Sequence, residues 1–276
     1  MMMTGRLNRI AYEDGVSESI GFLLIFTLVI VGIGLVTLYG YPMLLQQQVS
    51  ADEQIMEKNM IVLQNDVKSL AYKTIPYKET SLKIGGGTLS VFNSSYTPPS
   101  GVPAAITILD NNGDLIDSFQ SGDLMYLSDS AGTDVSLQNG AVVKRHRVEP
   151  GSVMLAEPRW FYDGMTKTMV INLINITSDE MLSRAGVGTV QMSLGDMQFQ
   201  KFSVDDVPST LHPPVYLKYT PNKNQDYSIA WDNYFRRSLG MSLTSGTPGN
   251  GLELQYQFPD TTTLVVKQFE VNIRSL

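Results

Sequence analysis

The chain contains no cysteine, only two histidines and few basic residues for a length of 276 residues. Without cysteine it can form no disulfide, no thiolate nucleophile and no zinc–thiolate site. With only His146 and His212, a histidine-rich metal centre is excluded as well. Lys and Arg number 20 against 27 Asp and Glu, and the resulting net charge of −7 argues against a surface that follows nucleic-acid phosphates. We therefore expect no cofactor, no metal and no nucleic-acid partner.

Charged side chains are absent from one long apolar stretch, residues 20–45, IGFLLIFTLVIVGIGLVTLYGYPMLL. A helix of this length reaches about 39 Å, which exceeds the ~30 Å hydrocarbon core of a membrane. The stretch has no polar face with which a soluble helix would meet water. The alternative is the buried core helix of a soluble protein, and the basic lead-in argues against it. The sequence predicts a transmembrane helix over residues 16–45.

The residues before the apolar stretch predict its orientation. Arg6 and Arg9 are the only basic residues there, and the positive-inside rule keeps such an end in the cytoplasm. We therefore predict a cytoplasmic leader over residues 1–15 and an extracellular position for everything after residue 45, in a single-pass protein of the cell membrane. A cleaved secretory signal is the alternative, but the apolar run is too long for one and no A-x-A-like site follows.

The segment GVSESIGFLLIF, residues 15–26, resembles the class III signal of archaeal type IV pilin-like proteins. The resemblance implies that a prepilin peptidase cuts after Gly15, so that Val16 becomes the first residue and the apolar anchor is kept. It also implies that Glu18 pairs with the freed amino group of a neighbouring subunit on assembly. The sequence departs from the family pattern in two places: Asp14 replaces a basic residue, and Glu18 stands at the third mature position rather than the fifth.

The glycines Gly32, Gly34 and Gly40 lie well inside the apolar stretch. Small residues allow close approach of helices in lipid, so they could form a packing face between subunits. Equally, glycine is simply commoner in membrane helices than in soluble ones. Pro42 removes a backbone hydrogen bond and predicts a kink near the outer membrane surface.

Residues 46–72 have the pattern of an amphipathic stalk helix. Their apolar residues recur at spacings of 7, 4, 3, 4 and 3 and form a single stripe, with charged residues elsewhere on the cylinder: Val49, Met56, Met60, Leu63, Val67 and Leu70. Either the chain's own β domain or a neighbouring subunit could cover this stripe. With no more than three heptads, the pattern favours the chain's own domain.

Residues 77–276 predict an extracellular β-rich domain, since many short alternating strands are separated by Gly, Pro, Asn and Asp turns. Two hairpins are predicted, one around the glycines at 85–87 and one around Asn111–Gly113. A helix over residues 225–239 interrupts the strands and carries Trp231, Tyr234 and Phe235 on one face, which favours packing on a sheet. The predicted fold class is α+β, with a transmembrane-plus-stalk helix before a mainly antiparallel β-sandwich, either one large or two small.

Few motifs in the β region indicate chemistry. Residues 110–114, DNNGD, look like a calcium loop, but a hairpin turn explains them without an ion. The basic run at 144–147 lies on a predicted strand, so its side chains alternate between faces and cannot form one patch. Two sequons, at Asn93 and Asn175, are weak glycosylation candidates. No G-x-S-x-G nucleophile motif is present, and we do not expect an enzyme.

Together these features predict a pilin-like structural protein of an archaeal cell surface, a subunit or minor component of a filament similar to a type IV pilus. Its expected partners are membrane lipid, a prepilin peptidase and like pilin subunits, in a homo-oligomer or filament. The alternative is a membrane-tethered adhesin or ligand-binding module that never polymerises. An ectoenzyme is the third and least favoured reading.

Overall fold

The computed structural model describes residues 10–73, 75–93, 104–149, 151–207, 210–222 and 224–276, with side chains from residue 18 onward. Helix α1 spans Ile10–Leu35 and helix α2 spans Tyr41–Tyr72, with a π-helical turn at Val36–Gly40 between them. The chain divides into two compact units, one ending at Ala51 and one running from Asp52 to Leu276. The boundary falls inside α2, so the second half of this helix belongs to the same unit as the strands.

The second unit contains a short helix, α3, at Ser228–Arg237 and fourteen strands among its described residues. The strands are β1 Tyr77–Phe92, β2 Ala105–Leu109, β3 Leu115–Gln120, β4 Asp123–Ser128, β5 Thr133–Gln138, β6 Ala141–His146, β7 Ser152–Ala156, β8 Phe161–Asp163, β9 Thr168–Thr177, β10 Ser183–Ser203, β11 Tyr216–Thr220, β12 Ser242–Ser245, β13 Leu254–Gln257 and β14 Thr263–Ser275. The predicted α+β class, with an apolar helix before a β-rich region, is confirmed.

The strands form two sheets. A nine-stranded sheet has the order β7-β6-β5-β4-β1-β10-β14-β9-β8, and a five-stranded sheet has the order β12-β13-β11-β2-β3. Neighbouring strands run antiparallel, with the single exception among the described strands of β9 and β14, which pair in parallel over the whole of β9. The sheets are therefore mainly antiparallel, as the turn-rich sequence predicts.

The nine-stranded sheet has an apolar core on each of its two faces. Along β14, Leu264 and Val266 belong to one core, together with α3 and the inner residues of the five-stranded sheet. Phe269 and Val271 belong to the other core, together with the second half of α2. Alternate side chains of a strand point to opposite faces, so this one strand contributes to both cores.

The predicted apolar stripe of α2 is buried on the nine-stranded sheet of the same chain. Five of its six members have no solvent exposure: Met56, Met60, Leu63, Val67 and Leu70. Gln64 lies beside them and is also buried, and its Nε2 donates to the backbone oxygens of Gly140 (2.8 Å) and Glu157 (3.0 Å). The amide therefore attaches the helix to the turn between β5 and β6 and to the segment after β7.

The predicted hairpin around residues 85–87 is wrong, because β1 continues straight through the three glycines. Strand β1 pairs with β10 up to Ile84 and, after a register shift, again at Leu89 and Ser90; on its other side it pairs with β4 from Gly87 onward. Gly86 has φ +60°, and a Cβ at Gly87 would clash with the carbonyl oxygen of Leu127. The glycines thus lie at an irregularity where the register with β10 shifts and the pairing with β4 begins. The second predicted hairpin, between β2 and β3, is confirmed.

Helix α3 is shorter than predicted, but its aromatic face is buried as expected. Trp231, Tyr234 and Phe235 are each at most 3% exposed and pack against Trp160. Asp226 lies one residue before the N-cap position of this helix, and its Oδ1 accepts a hydrogen bond from the backbone N–H of Ser228 at 2.8 Å.

Candidate membrane segment and exposed groove

The apolar helix has no polar or packed face within the first unit. Every described side chain from Glu18 to Leu45 is exposed, apart from the half-buried Gly40. Among the described helices, this one alone is long and apolar enough to cross a membrane. Large apolar side chains such as Phe22 and Leu28 are 71% and 69% exposed. In a protein surrounded by water, such side chains are normally buried.

The two threonine hydroxyls of the apolar stretch donate hydrogen bonds within the helix. The hydroxyl of Thr27 donates to the carbonyl of Leu23 at 2.7 Å, and that of Thr37 donates to the carbonyl of Ile33 at 2.9 Å. Such internal bonding is what hydrocarbon requires, since no water is present there to accept these protons. The π-helical turn Val36–Gly40 lies just before Pro42, so the irregularity predicted from proline takes the form of a widened turn.

The residues predicted for processing and assembly lie on α1. Gly15 and Val16 are helical within Ile10–Leu35, but their side chains lie outside the described part, as does the structure of residues 1–9. Glu18 is exposed. Gly32 and Gly34 have open space where a side chain would be, and Gly40 lies only against Val36 of its own helix. Cleavage between Gly15 and Val16 needs a peptidase, and the contacts predicted for Glu18 and the glycines need a second subunit. All of these roles stay predictions.

The two predicted sequons lie in the β-rich unit. Asn93 follows β1, and its Nδ2 donates to the carbonyl of Ser178 at 3.0 Å; the remaining residues of its sequon lie outside the described part. Asn175 is half-buried on β9, and its Oδ1 accepts a hydrogen bond from the backbone N–H of Gly122 at 3.0 Å. Both side-chain amides therefore take part in hydrogen bonds.

The basic run at residues 144–147 is distributed over two faces of β6, as alternation predicts. Lys144 Nζ lies 2.7 Å from a carboxylate oxygen of Glu53 and of Glu57 on α2. Arg145 and Arg147 instead face Asp134, at 3.4 and 2.7 Å. These cations stabilise the packing of helix and strands through ion pairs.

The loop at residues 110–114 is a hairpin turn. Oδ1 of Asp110 accepts hydrogen bonds from the backbone N–H groups of Asn112 and Asp114, both at 2.8 Å, and its Oδ2 lies 3.1 Å from Nδ1 of His212. The carboxylate is thus used by the turn itself. The described residues contain no group of three metal-binding side chains.

The sequence did not point to an open groove of about 700 Å³ on the nine-stranded sheet, beside the end of α2. We call it the aromatic groove. Its lining is mainly apolar and includes Phe161, Met197 and Phe199, which are 50%, 63% and 59% exposed. In MQFQKF, residues 197–202 of β10, apolar and polar residues alternate, which is typical of a strand with one buried face, yet the apolar side chains of Met197 and Phe199 are uncovered.

Cations border the aromatic groove. The guanidinium of Arg159 lies over the ring of Tyr72 at 5.0 Å, and Nζ of Lys267 lies over the ring of Phe199 at 5.7 Å. Burial raises the pKa of Tyr72 to about 12, against the opposing effect of Arg159. Lys68 lies in a neighbouring depression, and burial, with a further contribution from Arg159, lowers its pKa. The groove is therefore positively charged in an acidic protein.

Strand β10 leaves an edge beside the aromatic groove. Its first part pairs with β1 up to Ser193, and its last part pairs only with β14 among the described strands. Residues 195–199 are consequently exposed. An edge strand with exposed apolar side chains favours association with another chain.

An acidic surface lies on the opposite face of the same strands. Asp179, Glu180, Asp196 and Glu270 border two adjoining depressions there, with Arg274 as the neighbouring cation. Glu270 follows Phe269, which packs on Tyr72 on the groove side, so successive residues of β14 point to the two faces. Met181, next to Glu180, is 68% exposed and adds an apolar tip to this acidic surface.

These features define an α+β protein with a helix able to cross a membrane and a β-rich unit that carries an exposed groove. The chain belongs to a family of unknown function (DUF7289), whose model matches residues 15–274. No curated protein and no solved structure matches the chain.

Proposed function

We propose that the chain is a membrane-anchored, pilin-like surface protein that serves as a subunit or minor component of a filament similar to a type IV pilus. One observation supports this most strongly: α1 and the first part of α2 expose only apolar or uncharged side chains from Ser19 to Leu45, whereas the end of α2 is buried on the chain's own sheet. A helix divided in this way combines a lipid anchor with a structural core element.

The finer parts of the proposal come from the sequence. The N-terminus lies in the cytoplasm, the apolar helix crosses the membrane once, and the β-rich unit, a β-sandwich, lies outside. A prepilin peptidase removes the leader after Gly15, and the anchor remains. The family match begins at Gly15, so the shared region starts where we place the end of the leader.

N-terminal sequencing of the native protein, extracted from membranes with detergent, tests the proposal. Val16 as the first residue would support it. As a control, a Gly15→Val protein should keep its leader, because the small residue before the cut is replaced, whereas Gly21→Ala should be processed normally. An intact leader on the native protein would contradict the pilin-like reading.

Assembly through Glu18 is tested separately. An unpaired carboxylate is costly in an apolar helix bundle, so the proposal requires a partner for Glu18 in the neighbouring subunit. Glu18→Gln should therefore reach the membrane and be processed, but should be lost from sheared surface filaments. Normal amounts of the Gln variant in filaments would refute this role.

A second candidate function is a membrane-tethered adhesin or ligand-binding module. The observation that favours it is the aromatic groove, since exposed aromatic side chains beside cations are suited to binding. Such a protein would keep its leader and would be absent from sheared filaments, which separates the two candidates.

A further inference from the structure

We infer that copies of this chain associate head to tail, with the acidic loop Asp179–Met181 of one copy inserted into the aromatic groove of the next. This inference rests on the proposed function only in that the copies are held in the same membrane. Both surfaces lie within the β-rich unit.

The first step is that the two surfaces are complementary. The groove offers exposed Phe161, Met197 and Phe199 with Arg159 and Lys267 around them. The loop offers the opposite combination, an exposed Met181 beside the two exposed carboxylates of Asp179 and Glu180. A methionine side chain is flexible and packs well on aromatic rings, and the carboxylates match the cations.

The second step is that the loop is held in place before association. The hydroxyl of Ser178 donates to the carbonyl of Glu180 at 2.7 Å, and Asn272 Nδ2 donates to Oδ1 of Asp179 at 3.3 Å. A loop fixed in this way loses less conformational entropy on binding.

The third step concerns geometry. The groove and the acidic surface lie on opposite faces of β10 and β14. A copy whose loop is bound to one neighbour can therefore still bind the loop of another neighbour in its own groove. A contact between two different surfaces adds copies without an inherent end, unless the rotation closes a ring. A two-fold dimer, in contrast, would pair one surface with itself.

The absence of cysteine makes a direct test possible. Phe161→Cys and Met181→Cys are made in separate full-length proteins, one of them carrying a size tag, and both are expressed in the same membrane and oxidised. A disulfide-linked heterodimer is expected only when both variants are present. Disulfide-linked dimers of either variant alone, or no heterodimer although both thiols react with a maleimide, would overturn the inference.

Charge reversal provides a second readout on the same pair. Lys267→Glu or Glu180→Lys, added to both cysteine proteins, should reduce the cross-linked fraction about tenfold, because like charges then face each other. The two reversals combined should restore it. Lys83→Glu, an exposed lysine on β1, is the matched control and should have no effect. Failure of the combined variant to recover cross-linking, with the Lys83 control intact, would contradict the charge match.

The outcomes separate this inference from the proposed function. If the native protein begins at Val16 and no heterodimer forms, the head-to-tail contact is wrong and the pilin-like reading stands. If the leader is intact and the heterodimer forms, the contact stands and the pilin-like reading falls.

Discussion

Asp123, the first residue of β4, carries a carboxylate oxygen that is shielded from solvent. The residue as a whole is half-buried, but its Oδ1 is inaccessible and has no hydrogen-bond partner among the described residues. Burial raises the pKa of Asp123 to about 7, and the Ser136 hydroxyl acts in the opposite direction. At neutral pH this side chain is therefore close to its titration point in the folded protein, whereas it is ionised in the unfolded chain.

This raised pKa predicts a stability that falls as pH rises. Between about pH 4 and pH 7 the folded state binds more protons at Asp123 than the unfolded state does, so the free energy of unfolding decreases across that window and then levels off. Asp123→Asn removes the titrating group and should flatten the curve, with a gain on the order of 2 kcal/mol at pH 8.

The measurement is urea unfolding of the detergent-solubilised protein at several pH values, followed by fluorescence. Both tryptophans of the chain, Trp160 and Trp231, are at most 5% exposed in the β-rich unit, so their emission reports its unfolding. Parallel pH curves for the native protein and Asp123→Asn would show that this carboxylate does not titrate in the window.

Gln64 gives a second prediction at the residue scale. Gln64→Met keeps an unbranched side chain but removes the Nε2 donor, and the carbonyls of Gly140 and Glu157 lose that partner in a buried place. We expect a loss of about 2 kcal/mol in the free energy of unfolding. Gln54→Met, at an exposed position of the same helix, should change it by less than about 0.5 kcal/mol. Equal effects of the two substitutions would refute the anchoring role of Gln64.

Among the elements, the second half of α2 is the one on which the β-rich unit depends most. Leu63 has no exposure in the core between this helix and the nine-stranded sheet, whereas its neighbour Val62 is 48% exposed. Leu63→Ala should lower the free energy of unfolding by about 3 kcal/mol through lost burial and a cavity. Val62→Ala should be nearly neutral. If neither substitution lowers the free energy of unfolding in the same urea titration, the helix is not part of the core.

The irregularity of β1 at its glycines gives a prediction for a strand. Gly87→Ala places a methyl group against the backbone of Leu127 on β4, and the backbone there cannot move without breaking the pairing of the two strands. We expect a loss of more than about 3 kcal/mol, or failure to fold. Gly164→Ala is the control, since its added methyl would meet only the Tyr162 ring at 3.7 Å. Unchanged thermal stability of the Gly87 variant would contradict the close approach.

Local patterns predicted an element correctly where the pattern is compatible with only one structure. The spacing of Met56, Met60 and Leu63 predicted a helix with one buried stripe, and the Asn111–Gly113 turn predicted a hairpin. The prediction failed at residues 85–87, because a run of glycines signals either a turn or a close approach of backbones, and only the fold decides which. In β5, TDVSLQ, polar and apolar residues alternate, and nothing in this sequence signals that all six residues are buried.

At the scale of the whole molecule, the sequence predicted the order of apolar helix, amphipathic helix and β-rich region, but not the groove. The groove needs residues from five places in the chain, among them Tyr72, Arg159, Met197 and Lys267. No local pattern brings these together, and the sequence does not signal that β14 pairs with β10 on one side and in parallel with β9 on the other. The alternation of Met197 and Phe199 with polar residues is the one available signal, and by itself it is typical of a strand with one buried face.

The central claim is that the apolar helix resides in lipid while the β-rich unit folds on the second half of α2. Fractionation of cells that express the full chain tests it most directly. The account predicts that the protein stays with the membranes after an alkaline carbonate wash and is released only by detergent. Recovery of the full-length protein as a soluble monomer without detergent would contradict it.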